Sequence, residues 1–117
     1  MRLFRCIVGI ASQYERDALS EAGFVRNTAG ADAEYWAHPA EDGIEVSILG
    51  DAQGWTVALF EEQGDGAWLA DGLYPSAAEA LTEALILLEA LTISGRNAAL
   101  GIVEGPLPRR EVLSRWR

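Results

Sequence analysis

His38 is the only histidine and Cys6 the only cysteine of the chain, and these two counts decide most of the chemistry open to it. A nucleophilic triad would have one candidate base, and a zinc site would have to be completed by carboxylates. His38 closes the run Glu34 to His38 ahead of Pro39. Strand alternation puts it on an apolar face beside Ile44, where a hydrogen-bonded structural histidine is a simpler role than a general base. Cys6 lies in Cys6-Ile7-Val8 with only Arg5 as a basic neighbour, so it reads as a small core residue and cannot close an internal disulfide. Asp71 stands out among the acids because alternation points it inward between Leu69 and Leu73. A carboxylate there needs a bulge, a partner such as Arg96, or a small site shared with Trp36, His38 and Trp55. The glycine turns Gly50 to Gly54 and Gly64 to Gly66 do not lead into helix N-termini and carry no Lys, so they are not phosphate cradles. Spacing for an EF-hand is absent too. The expectation is a chain with no catalytic residues, no cofactor and no metal; the alternative is a ligand-binding or enzymatic pocket near His38 and Asp71.

Charge is distributed unevenly along the 117 residues, whose net charge is −9. Residues 1–27 carry +1, residues 28–104 carry −13 with Arg96 their only basic residue, and residues 105–117 carry +3. A strongly negative middle repels nucleic-acid backbone and steers basic partners toward it, so direct nucleic-acid binding is not expected. An acidic surface that serves only solubility fits the same numbers. The longest apolar run, Ala84 to Leu88, is too short to span a bilayer, and no signal-peptide core precedes the first helix, so a soluble cytoplasmic protein is expected.

The elements that must position these residues are legible around the stretch Gly54 to Gly95. Trp55 to Glu61 alternates as a half-buried strand, Glu62 to Gly66 reads as a five-residue hairpin loop, and Ala67 to Tyr74 is the return strand. That loop length sets Phe60 opposite Trp68, Leu59 opposite Leu69 and Trp55 opposite Leu73. Pro75 stops the strand, and Ser76 with Glu79 opens a long helix ended by Gly95. Leu81, Ala84, Leu85, Leu88 and Leu91 form its expected buried stripe, so Leu85→Asp is expected to unfold the domain.

Upstream, Arg2 to Ile10 reads as a buried strand. Ser12 and Glu15 then open a short helix whose inner face is Tyr14, Ala18, Leu19 and Ala22, ended by Gly23. Asn27 to Ala33 reads as a loop, and Glu34 to His38 and Ile44 to Gly50 as strands joined by Pro39 to Gly43. Ala98 to Val103 is a candidate further strand, broken by Gly105-Pro106-Leu107-Pro108. The fold class is therefore α+β: an antiparallel meander of four to six strands, one face under a long helix, with a short N-terminal helix. Residues 1–104 form this single domain, and 105–117 a basic tail with Val112, Leu113 and Trp116 at helical spacing.

The segment Ser12 to Phe24, followed by Tyr35-Trp36 and His38-Pro39, resembles the small strand–helix–strand modules of plasmid primases and antirestriction proteins of mobile elements, over residues 3–38. In those modules a Trp follows closely after the Gly-aromatic pair. Here Gly23-Phe24 is followed by Val25-Arg26. The resemblance implies a mobile-element setting and carries over no catalytic residue.

Register sorts the strand residues into two faces. Trp36, His38, Ile44, Val46, Ile48, Trp55, Val57, Leu59, Leu69 and Leu73 should meet the long helix. The other face collects Tyr35, Phe60, Trp68 and Tyr74 among small and polar residues, to be covered by the first helix or the C-terminal segment, by a second copy in a homodimer, or by a partner. The leading expectation is an acidic protein-interaction module that inhibits or modulates a basic partner, as an immunity or antidefence protein would. Glu41, Asp42, Asp51, Glu61, Glu62 and Asp65 form its charged rim, and Tyr35, Phe60, Trp68 and Tyr74 its anchor.

Overall fold

The computed structural model describes residues 11–30, 33–70 and 73–113. Arg2 to Ile10 with Cys6, and also Asp71 and Trp116, lie outside the described residues. The elements run α1 (Gln13–Glu21), β1 (Val25–Gly30), β2 (Ala33–Ala37), β3 (Ile44–Asp51), β4 (Gly54–Glu61), β5 (Gly66–Leu69), α2 (Ala77–Ser94), α3 (Arg96–Leu100), β6 (Glu104–Pro108) and α4 (Arg109–Leu113). The strands form one antiparallel sheet in the order β1-β2-β3-β4-β5-β6, a meander with a long helix on one face. The expected α+β class is what the chain adopts.

Both long-range helix starts follow from side-chain capping. Ser12 and Glu15 form a complete capping box on α1, and Glu15 Oε2 also accepts the Ala78 N–H in the first turn of α2 at 2.9 Å. One carboxylate thus caps one helix and docks against the start of another. Ser76 accepts from the Glu79 N–H, and Gly95 ends α2 with φ at 89°, a conformation that glycine adopts without penalty.

Trp36, Ile44, Val46, Ile48, Trp55, Val57 and Leu59 line the inner sheet face, as alternation requires. The helix meets them with Ala77, Ala80, Ala84, Leu87 and Leu91; of the expected stripe Ala84 and Leu91 are buried as foreseen, while Leu85 turns outward and Leu87 takes its place. Leu85 is 43% exposed and Ile86 54%, while Leu81 and Leu88 flank the contact. Indoles occupy much of the inner face, so the first half of the helix approaches along its alanines. Gly50 shows the same constraint, because a Cβ there would come within 2.6 Å of the Trp55 ring. On α1, Leu19 is fully buried, but Tyr14 is 81% exposed and does not join the inner face.

Register departs from expectation at β5. Phe60 pairs with Ala67, Leu59 with Trp68 and Ala58 with Leu69, so only Glu62 to Asp65 remain between the strands. One residue fewer in the loop reverses every side chain that follows. Trp68 therefore packs on the helix side and Leu69 on the opposite one. Tyr74, not Leu73, bridges Trp55, and its hydroxyl donates to Glu83 of α2 at 3.0 Å.

The two edges were also misread. Val25–Gly30 is strand β1 rather than part of a loop; its exposed Val25, Arg26 and Asn27 carry no apolar alternation because an edge strand need not bury them. Around Ala98 the chain is helical, and the sixth strand is Glu104–Pro108, the stretch expected to break it. Pro106 and Pro108 are tolerated there because β6 pairs on one side only.

Leu87→Ala is expected to lower unfolding free energy by about 2–5 kcal/mol. Leu85→Asp should cost no more than about 1.5 kcal/mol, from helix propensity and partial burial. Urea titration of both variants checks the helix orientation directly.

Candidate functional site

Five of the six rim carboxylates arrive at one end of the sheet. Asp42 and Gly43 occupy the two central positions of the β2–β3 turn with φ values of 51° and 78°, both left-handed, between Glu41 and Ile44, which exchange both backbone hydrogen bonds. Asp-Gly suits such a turn because both residues tolerate positive φ. The Glu62 N–H then donates to the Gly43 carbonyl at 2.9 Å, bringing the β4–β5 loop alongside. Glu41, Asp42, Glu62 and Asp65 are exposed and Glu61 half-buried at this end. Asp51 lies at the opposite end, in the β3–β4 turn, where its Oδ1 accepts the Gln53 N–H at 2.8 Å.

Part of that charge is spent within the fold. Arg96, the one basic residue of segment 28–104, donates its backbone N–H to Asp42 Oδ2 at 2.8 Å and its Nη2 to Glu61 Oε2 at 3.2 Å. Asp42 and Glu61 therefore fasten α3 to the sheet end. Glu41, Glu62 and Asp65 are exposed with no part in that fastening, and Asp42, exposed as well, keeps its charge while accepting the backbone N–H.

The outer-face anchor is not assembled as register predicted. Trp68 and Tyr74 face the helix side, as described above, and Phe60 is fully buried. Phe60, Leu49, Ala58, Ala67 and Val112 make a second small core with half-buried Tyr35, Leu69 and Leu113 around it. The covering element is the chain's own C-terminal segment. The boundary at residue 104 falls at the start of β6, so residues 104–113 belong to the sheet and this second core instead of forming a separate tail. Tyr35 donates to Glu45 Oε2 at 3.1 Å; burial, and then the Glu45 charge, push its phenol pKa up.

Glu34 was not among the expected site residues. It is 1% exposed and accepts from the Trp36 Nε1–H at 2.9 Å, Arg16 Nη2 at 3.0 Å and the Ala11 N–H at 3.0 Å, with Arg26 3.8 Å away. Burial alone would raise its pKa, but the donors from Trp36, Arg16 and Ala11 outweigh it and hold the carboxyl below its ordinary 4.5. The signal was present: the alternation that turns Trp36 inward turns Glu34 inward with it.

His38 is half-buried, its Nδ1 2.9 Å from the Pro39 carbonyl and its ring edge-on to Phe24 at 5.4 Å. An open hollow of about 220 Å³ beside it is lined by Val25, Ala37, His38, Pro39, Ala40, Glu45 and Glu62. Neither Trp36 nor Trp55 borders it. Among the described residues no cluster of three or more His, Cys, Asp or Glu could hold a metal ion, and no helix is long and apolar enough to cross a membrane. No family model, no curated protein and no solved structure matches the chain.

Because Glu34 has a lowered folded-state pKa, its contribution is present above its unfolded pKa near 4.5 and is lost as pH falls through the folded value. Glu34→Ala should cost about 3–5 kcal/mol at pH 7, since it strands Arg16 and the Trp36 N–H. The gap between wild-type and variant urea midpoints should narrow as the buffer is taken below pH 4.5.

Proposed function

We propose that the chain is an acidic protein-interaction module that inhibits or modulates a basic protein, in the manner of an immunity or antidefence factor. In this reading it has no catalytic centre of its own, and the partner's surface is of the kind that otherwise meets nucleic-acid phosphate. The observation that carries it is the gathering of Glu41, Glu62 and Asp65, all exposed, at one end of the sheet by a two-residue turn and the Glu62 to Gly43 hydrogen bond. Concentrated like charge raises encounter rates with an opposite surface and discourages wrong partners. A net charge of −9 adds long-range attraction for the same class of partner. Asp42 and Glu61 support the site by position: Glu61 is ion-paired with the Arg96 guanidinium, whereas Asp42 accepts the Arg96 backbone N–H and keeps its charge.

Combined Glu41→Lys, Glu62→Lys and Asp65→Lys should leave thermal stability nearly unchanged, because none of the three packs in a core. Affinity capture from the native host with wild-type and charge-reversed protein, followed by binding kinetics, tests the reading. A basic protein should be retained by the wild type, with its association rate falling at least about tenfold in the variant or in high salt. Equal rates for both proteins would remove the acidic end from the mechanism.

A further inference from the structure

Beyond edge strand β6, which extends the sheet itself, α4 turns over the outer sheet face and meets it with two side chains one helical turn apart. The Arg109 guanidinium stands 4.7 Å from the centre of the Phe60 ring, 3.6 Å from Glu45 Oε1 and 3.5 Å from the Tyr35 hydroxyl. Val112, 2% exposed, fills the second core beside Leu49, Ala58, Phe60 and Ala67. Glu45 is held for this role from below, since both the Tyr35 and Ser47 hydroxyls donate to its Oε2 at 3.1 and 3.3 Å. An aromatic face, a fixed carboxylate and a phenol oxygen converging on one guanidinium make an arginine seat, with an aliphatic socket next to it.

The segment that fills it is lightly held. All of β6 is exposed, it pairs with β5 alone and has no strand on its other side, and five-residue α4 is too short to be stable alone. Such elements open at free energies well below global unfolding. Arg109 and Arg110 also bring positive charge to a body whose segment 28–104 carries −13.

We infer that the outer sheet face is a docking site for a protein segment bearing an arginine followed three residues later by an aliphatic side chain, and that residues 104–113 occupy it in cis as a displaceable mimic. The inference rests on the proposed basic partner and adds where, and by what pattern, that partner is held. Tethering gives the mimic a high effective concentration, so a partner must make more contacts than Arg109 and Val112 do.

A fluorescent peptide of sequence Glu104–Leu113 is the probe, read by anisotropy. It should bind Val112→Ser and Arg109→Ala proteins at least about tenfold more tightly than wild type, because their own segments compete less. Adding Glu45→Ala, or replacing Arg109 by Ala within the peptide, should abolish the gain. Equal affinity for all three proteins would overturn the inference, as would formation of a dimer by the variants with no peptide bound. Should Val112→Ser fail to fold by near-ultraviolet circular dichroism, Arg109→Ala and native-state hydrogen exchange on the wild type still decide it. Exchange of Ala67 and Leu69 only through global unfolding would sink the idea. The triple reversal at Glu41, Glu62 and Asp65 leaves Glu45, Phe60 and Tyr35 in place, and the bond from the Arg109 N–H goes to the Asp65 backbone carbonyl, so with rim charge screened at high salt peptide affinity should stay within about twofold of wild type. Loss of peptide binding with retained partner capture would therefore refute the seat alone.

Discussion

The structure depends on how closely α2 can approach the sheet. Trp36 and Trp55 put two large aromatic side chains on the inner face, with half-buried Trp68 at its margin. Filling a layer this bulky to native density leaves room only for small helix side chains. Ala77, Ala80 and Ala84 meet that need along half of α2, and Leu87 and Leu91 take over toward its other end. Gly50 does for the sheet what the alanines do for the helix, admitting the Trp55 ring over its own strand. Of the leucines that helical spacing alone would bury, Leu91 stays inside, Leu81 and Leu88 stand at the flanks and Leu85 turns outward.

That displacement marks where sequence reasoning runs out. Period-two alternation placed β2, β3 and β4 correctly because each has a largely apolar inner row and a fixed partner. Helix capping was equally legible, since Ser12, Glu15 and Ser76 act through contacts within a few residues. The side of α2 that faces inward was not, because it is chosen by indoles distant in sequence. Loop length failed for a related reason. Glu62 to Gly66 is uniformly rich in turn-forming residues, so nothing local distinguishes a four-residue connection from a five-residue one, yet that residue decides the face of Trp68. Edge strands β1 and β6 lack the pattern altogether, being free to expose both polar groups and prolines.

Of the candidate site, the acidic tips were readable and the anchor was not. Sequence counts identify a segment of −13 but cannot say that its one arginine, Arg96, sits among the tips, or that Arg109 returns from the C-terminal segment to Glu45. Both pairs are partly exposed, and their energetic weight is modest. Their effect is on which carboxylates remain outward. Glu34 is different in kind: sealed from water, with neutral and charged donors around it, it joins Ala11, α1 and β2 through one side chain.

The acidic end and the outer face are physically continuous. The Asp65 carbonyl in the β4–β5 loop accepts the Arg109 N–H at 2.8 Å, at the point where β6 gives way to α4. Charge acts over roughly a Debye length, about 8 Å at physiological salt, whereas the Phe60 and Val112 contacts act only on touching. On the proposed function, a basic surface drawn to Glu62 and Asp65 would therefore arrive beside the element that covers Phe60. Arg109 stands between the two regions, bound by its backbone to the acidic loop and by its side chain to the aromatic face. A competing arginine that takes Glu45 releases the side-chain half of that hold and leaves Val112 with less to keep it in place. The proposed attraction at the rim and the proposed exposure of the apolar face would in this way be coupled through Arg109.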